Sequence, residues 1–316
     1  MSAYLHAFGA HLPARVVANA ELAERAGKTS EWIESVSGIQ ERRWAATETT
    51  VADMGFAAAE DCLRKASVSA NTLGMLIVAS GSGSHGFPGP AAEIAARLGM
   101  DSAPALDLPM ASAGSLFGLA LAMRLAGTQG DVLVVAAEKM SAVIAAEPLD
   151  PNTAILFGDG AGAALVSVRP GRWRMLDAAL HTDGQYRADL AFEGTGPLRM
   201  NGLTVILQAA RKIPSSITEV LGRQGISAQQ VAVFLLHQAN LNLLTRVAKS
   251  LGVNPDKVFA NVQRYGNTSS ASMLIAASEW SETNPEPGPI VFSAFGAGFH
   301  WGALVARSED VADSGT

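Results

Sequence analysis

The chain has 316 residues, of which 48% are apolar and only 16% charged, and its net charge is −6. Soluble chains carry roughly 25% charged residues, so the low charge points to a large core or an extensive subunit interface. The negative balance argues against nucleic acid or an anionic membrane as main partner, and no apolar run approaches the roughly 18 residues that span a bilayer. In chain order, the opening MSAYLHAFG lacks the basic-then-apolar pattern of a secretory signal, so cytoplasmic residence is expected. The single cysteine, Cys62, falls in an amphipathic helix spanning Ala57 to Ala66, where it reads as a buried structural thiol. The six histidines are scattered without ligand spacing, so no metal site is expected.

Strand-like and helical runs then alternate. Leu73–Ser80 reads as a strand and Ala91–Gly99 as a helix ending in Leu-Gly. From Pro109 to Gly127 the chain reads PMASAGSLFGLALAMRLAG, a small-residue turn running into a helix apolar on every face, the signature of a helix buried in a large core. Asp131–Ala137 is a strand, and Phe157–Val168 pairs a glycine-rich stretch with another. Gly158-Asp-Gly-Ala-Gly-Ala163 is no phosphate loop, because a strand and not a helix follows the glycines; they are expected to form a tight turn between strands.

The second half repeats this plan. Val231–Asn240 is a strand and loop, Leu243–Gly252 a helix ending in Leu-Gly, and Tyr265–Ser278 a second small-residue turn opening an apolar helix. Phe295–Ala306 again runs from glycines into a strand. The expectation is an α/β fold from an internal duplication, with halves 1–168 and 169–316 related by a pseudo-twofold axis and their helix-opening turns converging on one site. Three residues stand at matched positions: Ser112 before the first apolar helix, His237 at a strand end, and Asn267 before the second apolar helix. Singly they read as a helix cap, a core histidine and a turn asparagine. Together they read as a constellation, with Ser112 as a nucleophile at the positive end of a helix.

Several motifs carry a resemblance: Ser30-Glu-Trp-Ile33, Ser37-Gly-Ile-Gln-Glu-Arg-Arg43, Phe87-Pro88, Phe157-Gly-Asp-Gly-Ala-Gly-Ala163, His237-Gln-Ala-Asn240, Tyr265-Gly-Asn-Thr268 and Phe295-Gly-Ala-Gly-Phe-His-Trp-Gly302. In this order and spacing, nearly end to end, the chain resembles the β-ketoacyl-acyl carrier protein synthase III enzymes of the thiolase-fold condensing family. The resemblance implies a five-layered αβαβα fold, a homodimer, and a Cys-His-Asn triad whose positions are Ser112, His237 and Asn267. It implies an oxyanion hole from the backbone N–H groups of Ser112 and Ala297. It also puts Trp32 against the substrate, and sends Phe87 across the dimer to an acyl tunnel that Ile155 and Phe157 also line. No cofactor is implied; acyl-CoA or acyl carrier protein enters as substrate. Arg246 and Lys249, with Arg211 and Lys212, are candidate docking cations for an acidic carrier.

The chain departs from the resemblance at the nucleophile. A helix dipole worth about 1–2 kcal/mol moves a pKa by roughly one unit, enough to help a thiol that titrates near about 8.5 but not a hydroxyl. Serine needs a base, and His237 is the candidate. Ser112 therefore reads either as a Cys→Ser change introduced in an ordinary nucleophile turn, or as a natural serine in an enzyme that transfers acyl groups without condensation. Val36, Pro151 and Asn152 stand where the resemblance places cations that grip coenzyme A, which favours a carrier-bound or unusual donor. The stretch from Gly184 to Met200, a pocket wall in relatives, is short. A serine hydrolase is disfavoured by the absence of Gly-x-Ser-x-Gly, and an inactive partner subunit by the retention of His237 and Asn267.

Overall fold

The structure, a computed structural model, describes residues 2–83, 86–145, 150–283 and 285–309. The first half runs β1 (Ala3–His11), β2 (Arg15–Ala18), α1 (Asn19–Ala26), α2 (Ser30–Ser37), β3 (Glu41–Trp44), α3 (Val51–Ala66), β4 (Met75–Ala79), α4 (Pro90–Arg97), β5 (Ala105–Leu108), α5 (Gly114–Gln129), β6 (Val132–Lys139), α6 (Met140–Val143), α7 (Pro151–Ala154) and β7 (Asp159–Ser167). The second runs β8 (Trp173–Thr182), β9 (Leu190–Ala191), β10 (Arg199–Met200), α8 (Gly202–Arg223), β11 (Val233–Leu236), α9 (Leu241–Leu251), α10 (Val262–Tyr265), α11 (Ser272–Ser281), β12 (Pro289–Gly296) and β13 (His300–Ser308).

Local chemistry sets many of these boundaries. Thr50 and Asp53 form a capping box at the start of α3, with Thr50 Oγ1 accepting the Asp53 N–H at 3.0 Å and Asp53 accepting the Thr50 N–H at 2.8 Å. Gly27, Gly38 and Gly252 end α1, α2 and α9 in the left-handed conformation that favours glycine. Helix α11 and the first two turns of α5 have apolar residues all round because they are covered on most sides; the last turn of α5, from Arg124, reaches the surface.

The main sheet is ordered β11-β12-β13-β8-β1-β7-β6-β4-β5. Read outward from the β1–β8 seam, one side is β1-β7-β6-β4-β5 and the other β8-β13-β12-β11, the same order of connections in both halves. The parallel bridge from Phe234 to Val258 takes the place of β5. The seam is short: Ala3, Tyr4 and Leu5 pair with Met175, Arg174 and Trp173. The sheet folds there around α5 and α11, whose side chains share one core with the inner faces of both halves. Helices α3 and α4 cover the outer face of the first half, and α8 and α9 that of the second. The result is five layers, the thiolase fold.

One expectation is corrected. Gly160 and Gly162 do not form a turn; they lie inside β7, Gly162 paired with β1 on one side and β6 on the other and Gly160 with β6. The reason is helix approach: a Cβ on Gly162 would sit 2.6 Å from Leu274 Cβ and 2.9 Å from the Ile275 nitrogen of α11. The glycines at 296–298 do form a turn, between β12 and β13, with Gly298 at φ 75°. Among the described residues no helix is long and apolar enough to cross a membrane, and no group of His, Cys, Asp and Glu is placed to hold a metal.

Candidate active site

Both helix-opening turns reach one cavity of about 240 Å³ between the halves. Ser112, Phe157, His237, Asn267, Ser269 and Ala297 line it, and Met140, Val143, Phe192, Leu198, Val205 and Leu243 give it apolar walls. An apolar chamber with a few polar groups suits an acyl chain ending in a carbonyl.

Ser112 lies two residues before α5, at φ 60°, and the Ala113 N–H donates to the Ala111 carbonyl at 2.7 Å. This is a γ-turn, a rare and strained conformation, with the serine at its apex. Ser112 does not cap α5, whose N-terminus carries no side-chain cap. Its backbone N–H donates to Ser269 Oγ at 3.0 Å. The expected oxyanion donor therefore already has a partner, while the other expected donor residue, Ala297, lines the cavity.

His237 follows β11, and its N–H donates to the Ser293 carbonyl at 2.9 Å, which holds it to the sheet end. Its Nδ1 is 2.6 Å from Ser272 Oγ, and that oxygen also accepts the Gln238 N–H at 3.0 Å. Burial depresses the imidazole pKa to about 4, with the Ser269 backbone acting weakly the other way, so the ring is neutral at physiological pH. Asn267 is fixed through its backbone: its N–H donates to the Leu156 carbonyl at 2.8 Å, and its own carbonyl accepts the Gly158 N–H at 3.1 Å. Its Oδ1 accepts the Ser269 N–H at 2.9 Å, which orients the amide and leaves Nδ2 without a protein acceptor among the described residues.

Beneath these residues lies Glu138, fully buried at the end of β6. It accepts the N–H groups of Gly81, Ser82 and Ser270 and the hydroxyls of Ser80, Ser82 and Ser270. The carboxylate thus ties the loop after β4 to the turn that carries Ser269. Sequence reading passed over Glu138, Ser269 and Ser272. The available signals were an acid closing the apolar run Val132–Ala137 and the serine-rich stretch Thr268–Ser272.

Other expected site residues fall elsewhere. Ile155 does not line the cavity; it packs against Val17, Leu22 and Ile33, and its carbonyl accepts from the buried Arg42 guanidinium at 2.5 Å. Its neighbours Leu156 and Phe157 face the cavity instead. Trp32 is half-buried on α2 under the Lys28 ammonium, outside the cavity lining. Its helix abuts the mouth, where Asn240 and Asn242 donate to the Val36 carbonyl. Phe87 is 99% exposed, away from this chain's own cavity. Arg246, Lys249 and Arg211 are exposed, but Lys212 is only 7% exposed and is no docking cation. It pairs with Asp183 at 2.7 Å and lies 3.8 Å from the Trp301 ring centre. Adjacent residues on a helix point about 100° apart, so Arg211 and Lys212 cannot share an exposed face. Cys62 is buried, and desolvation pushes its thiol up to about 12, an inert group.

Two family descriptions match the chain: 3-oxoacyl-[acyl-carrier-protein] synthase III over residues 106–184, and the C-terminal region of the same enzymes over residues 221–308. A beta-ketoacyl-[acyl-carrier-protein] synthase III of Oleidesulfovibrio alaskensis is 36% identical, over 96% of this chain and 98% of its own. The crystal structure of a 3-oxoacyl-[acyl-carrier-protein] synthase III from Aquifex aeolicus superposes with a TM-score of 0.92 at 32% identity, over 96% of this chain and 99% of that one. The priming beta-ketosynthase of the R1128 polyketide pathway superposes with a TM-score of 0.89 at 30% identity, over 97% of this chain and 96% of that one.

Proposed function

We propose, from the premise that this chain belongs to the 3-oxoacyl-[acyl-carrier-protein] synthase III family, that it joins an acyl thioester to a malonyl-type thioester by decarboxylative condensation. The setting is priming of fatty-acid, polyketide or related synthesis. One observation carries the reading: Ser112, His237 and Asn267, drawn from both halves, line the same apolar cavity. In the first step Ser112 Oγ attacks the thioester carbonyl, the C–S bond breaks, and the thiol leaves with the serine proton. In the second, His237 and Asn267 hold the malonyl thioester oxygen as the bond to the carboxylate breaks and carbon dioxide leaves. The resulting enolate carbon attacks the acyl carbon, the bond to Ser112 Oγ breaks, and the serine takes up a proton from solvent.

The acyl enzyme is an oxyester here, less reactive toward a carbanion than a thioester. We read the serine as the residue that limits turnover in a site otherwise equipped for condensation, as a Cys→Ser change would leave it. The second reading, acyl transfer without condensation, turns on the contact between His237 and Ser272, which serves either reading according to the tautomer. If Nδ1 gives its proton to Ser272, Nε2 is a base for Ser112; if it takes the Ser272 proton, Nε2 is a donor for the malonyl oxygen. The exposed cations Arg246, Lys249 and Arg211 support docking of an acidic carrier, and the exposed Phe87 supports a homodimer in which it fills a partner cavity.

The test is intact-mass analysis after incubation with a panel of acyl thioesters, beside an assay of malonyl-thioester decarboxylation, for the chain and its Ser112→Cys variant. Condensation predicts acylation and decarboxylation by the variant, and absence of both in the variant rules it out. Efficient product formation by the serine form, with no carbon dioxide released, selects acyl transfer.

A further inference from the structure

Ser269 is bonded to two of the three proposed catalytic residues. Its hydroxyl oxygen accepts the Ser112 N–H and its own N–H donates to Asn267 Oδ1, while His237 lines the same cavity. It sits at φ 48°, in the left-handed region, and is 1% exposed. A hydroxyl has one proton to give and two lone pairs. One lone pair is taken by Ser112, and no described residue accepts the proton, although a buried donor without an acceptor is destabilising. Ser269 lines the cavity beside Ser112, so the space there is where an acceptor can enter.

We propose that Ser269 is a further catalytic residue, whose hydroxyl relays the Ser112 N–H and donates its own proton in a hydrogen bond to the acyl carbonyl oxygen. The inference rests on the condensing-enzyme reading and deepens it. The oxygen that gains negative charge as Ser112 attacks is met by a hydroxyl already polarised by the N–H behind it, since hydrogen bonds in a chain strengthen one another. The Ser112 N–H then acts through Ser269 and not directly, and Ala297 supplies the backbone donor.

Ser269→Ala deletes the hydroxyl but leaves the backbone bond to Asn267. In the Ser112→Cys background, acylation by a hexanoyl thioester is expected to slow roughly 10²-fold with KM little changed, the loss typical of one oxyanion donor. With the matching dithioester, whose thiocarbonyl sulfur accepts hydrogen bonds poorly, variant and parent are expected within about threefold, because the lost donor has little to bind. Ser269→Cys keeps the side-chain volume with a weaker donor and is expected to lose about tenfold, a check should the alanine variant misfold. Thioester acylation by the alanine variant as fast as, or faster than, the parent overturns the role and makes the Ser112 N–H the direct donor. An equal loss with thioester and dithioester also overturns it, since a merely structural change ignores the acceptor atom. No acylation of the parent overturns the condensing-enzyme reading and the Ser269 role with it.

Discussion

The turn that opens α5 and the turn that opens α11 occupy matching places in the two halves, and they are held by opposite means. Around Ser112 the turn is held by close packing. A Cβ on Gly296 would lie 2.4 Å from the Ala111 oxygen and 2.8 Å from the Ser112 Cβ, so the β12–β13 turn presses directly on the nucleophile turn. Among the described residues, Ser112 meets a side-chain hydrogen-bond partner only through its backbone N–H. Around Asn267 the turn is bolted by polar bonds to Leu156, Gly158, Gln238 and the buried Glu138. In the proposed reaction Ser112 has to keep its own side chain uncommitted, so its turn is fixed by shape. The residues proposed to orient the substrate oxygen gain from being hydrogen bonded themselves. Duplication supplied two equivalent turns, and chemistry divided the labour between them.

The largest effects should follow that division. Asn267→Ala or His237→Ala is expected to slow malonyl-thioester decarboxylation by roughly 10²–10³-fold, whereas Ser112→Ala should abolish acylation and leave decarboxylation within a few-fold. Loss of both steps in every variant, measured by carbon dioxide release and intact mass, would break the comparison. The pH dependence sharpens it. The folded His237 pKa, about 4, lies below the unfolded value of 6.5. The unfolded chain therefore binds the extra proton between these values, and stability falls as pH drops through that window, by about 3 kcal/mol from this group. Decarboxylation should be insensitive to His237 between pH 6 and pH 8 (about two units above its pKa) and decline as pH approaches about 4.

Glu138→Leu leaves the Gly81, Ser82 and Ser270 donors unpaired and is expected to destabilise by about 3 kcal/mol, read in chemical denaturation, while Glu138→Gln loses less. A variant as stable as the parent would mean that the second turn is not held by its polar bonds. Gly162→Ala forces a methyl against Leu274 of α11 and should cost about 1–3 kcal/mol. Its effect should appear in the melting temperature first and in acylation second, because α11 carries the second turn and not the nucleophile.

Much of this was legible in the sequence because it is periodic or local. The alternation of strands and helices, the all-apolar character of α5 and α11, and the repeated small-residue turns identify the layers and bring Ser112, His237 and Asn267 to equivalent ends. What escaped depends on distant partners. Glu138 bonds to Ser270, 132 positions away, and Ser112 to Ser269, 157 positions away. No spacing rule announces such pairs. Lys212 misled for the same reason: beside Arg211 it suggests a basic patch, but the fold turns it inward to Asp183. The glycines of β7 misled because a turn and a close helix contact ask for the same residue.

The seam at β1 has a consequence for how the molecule is made. Strand β1 lies in the middle of the sheet, hydrogen bonded to residues 161–167 on one side and 173–175 on the other, all of them made well after it. A ribosome adding roughly 5–20 residues per second leaves that strand without either neighbour for on the order of ten seconds or more. During that interval Leu5 and Phe8, fully covered in the finished protein, have no sheet to join. Residues of β1 wait for partners made about 150 positions later, and a nascent chain released in between exposes the apolar edge that the completed fold keeps at its centre.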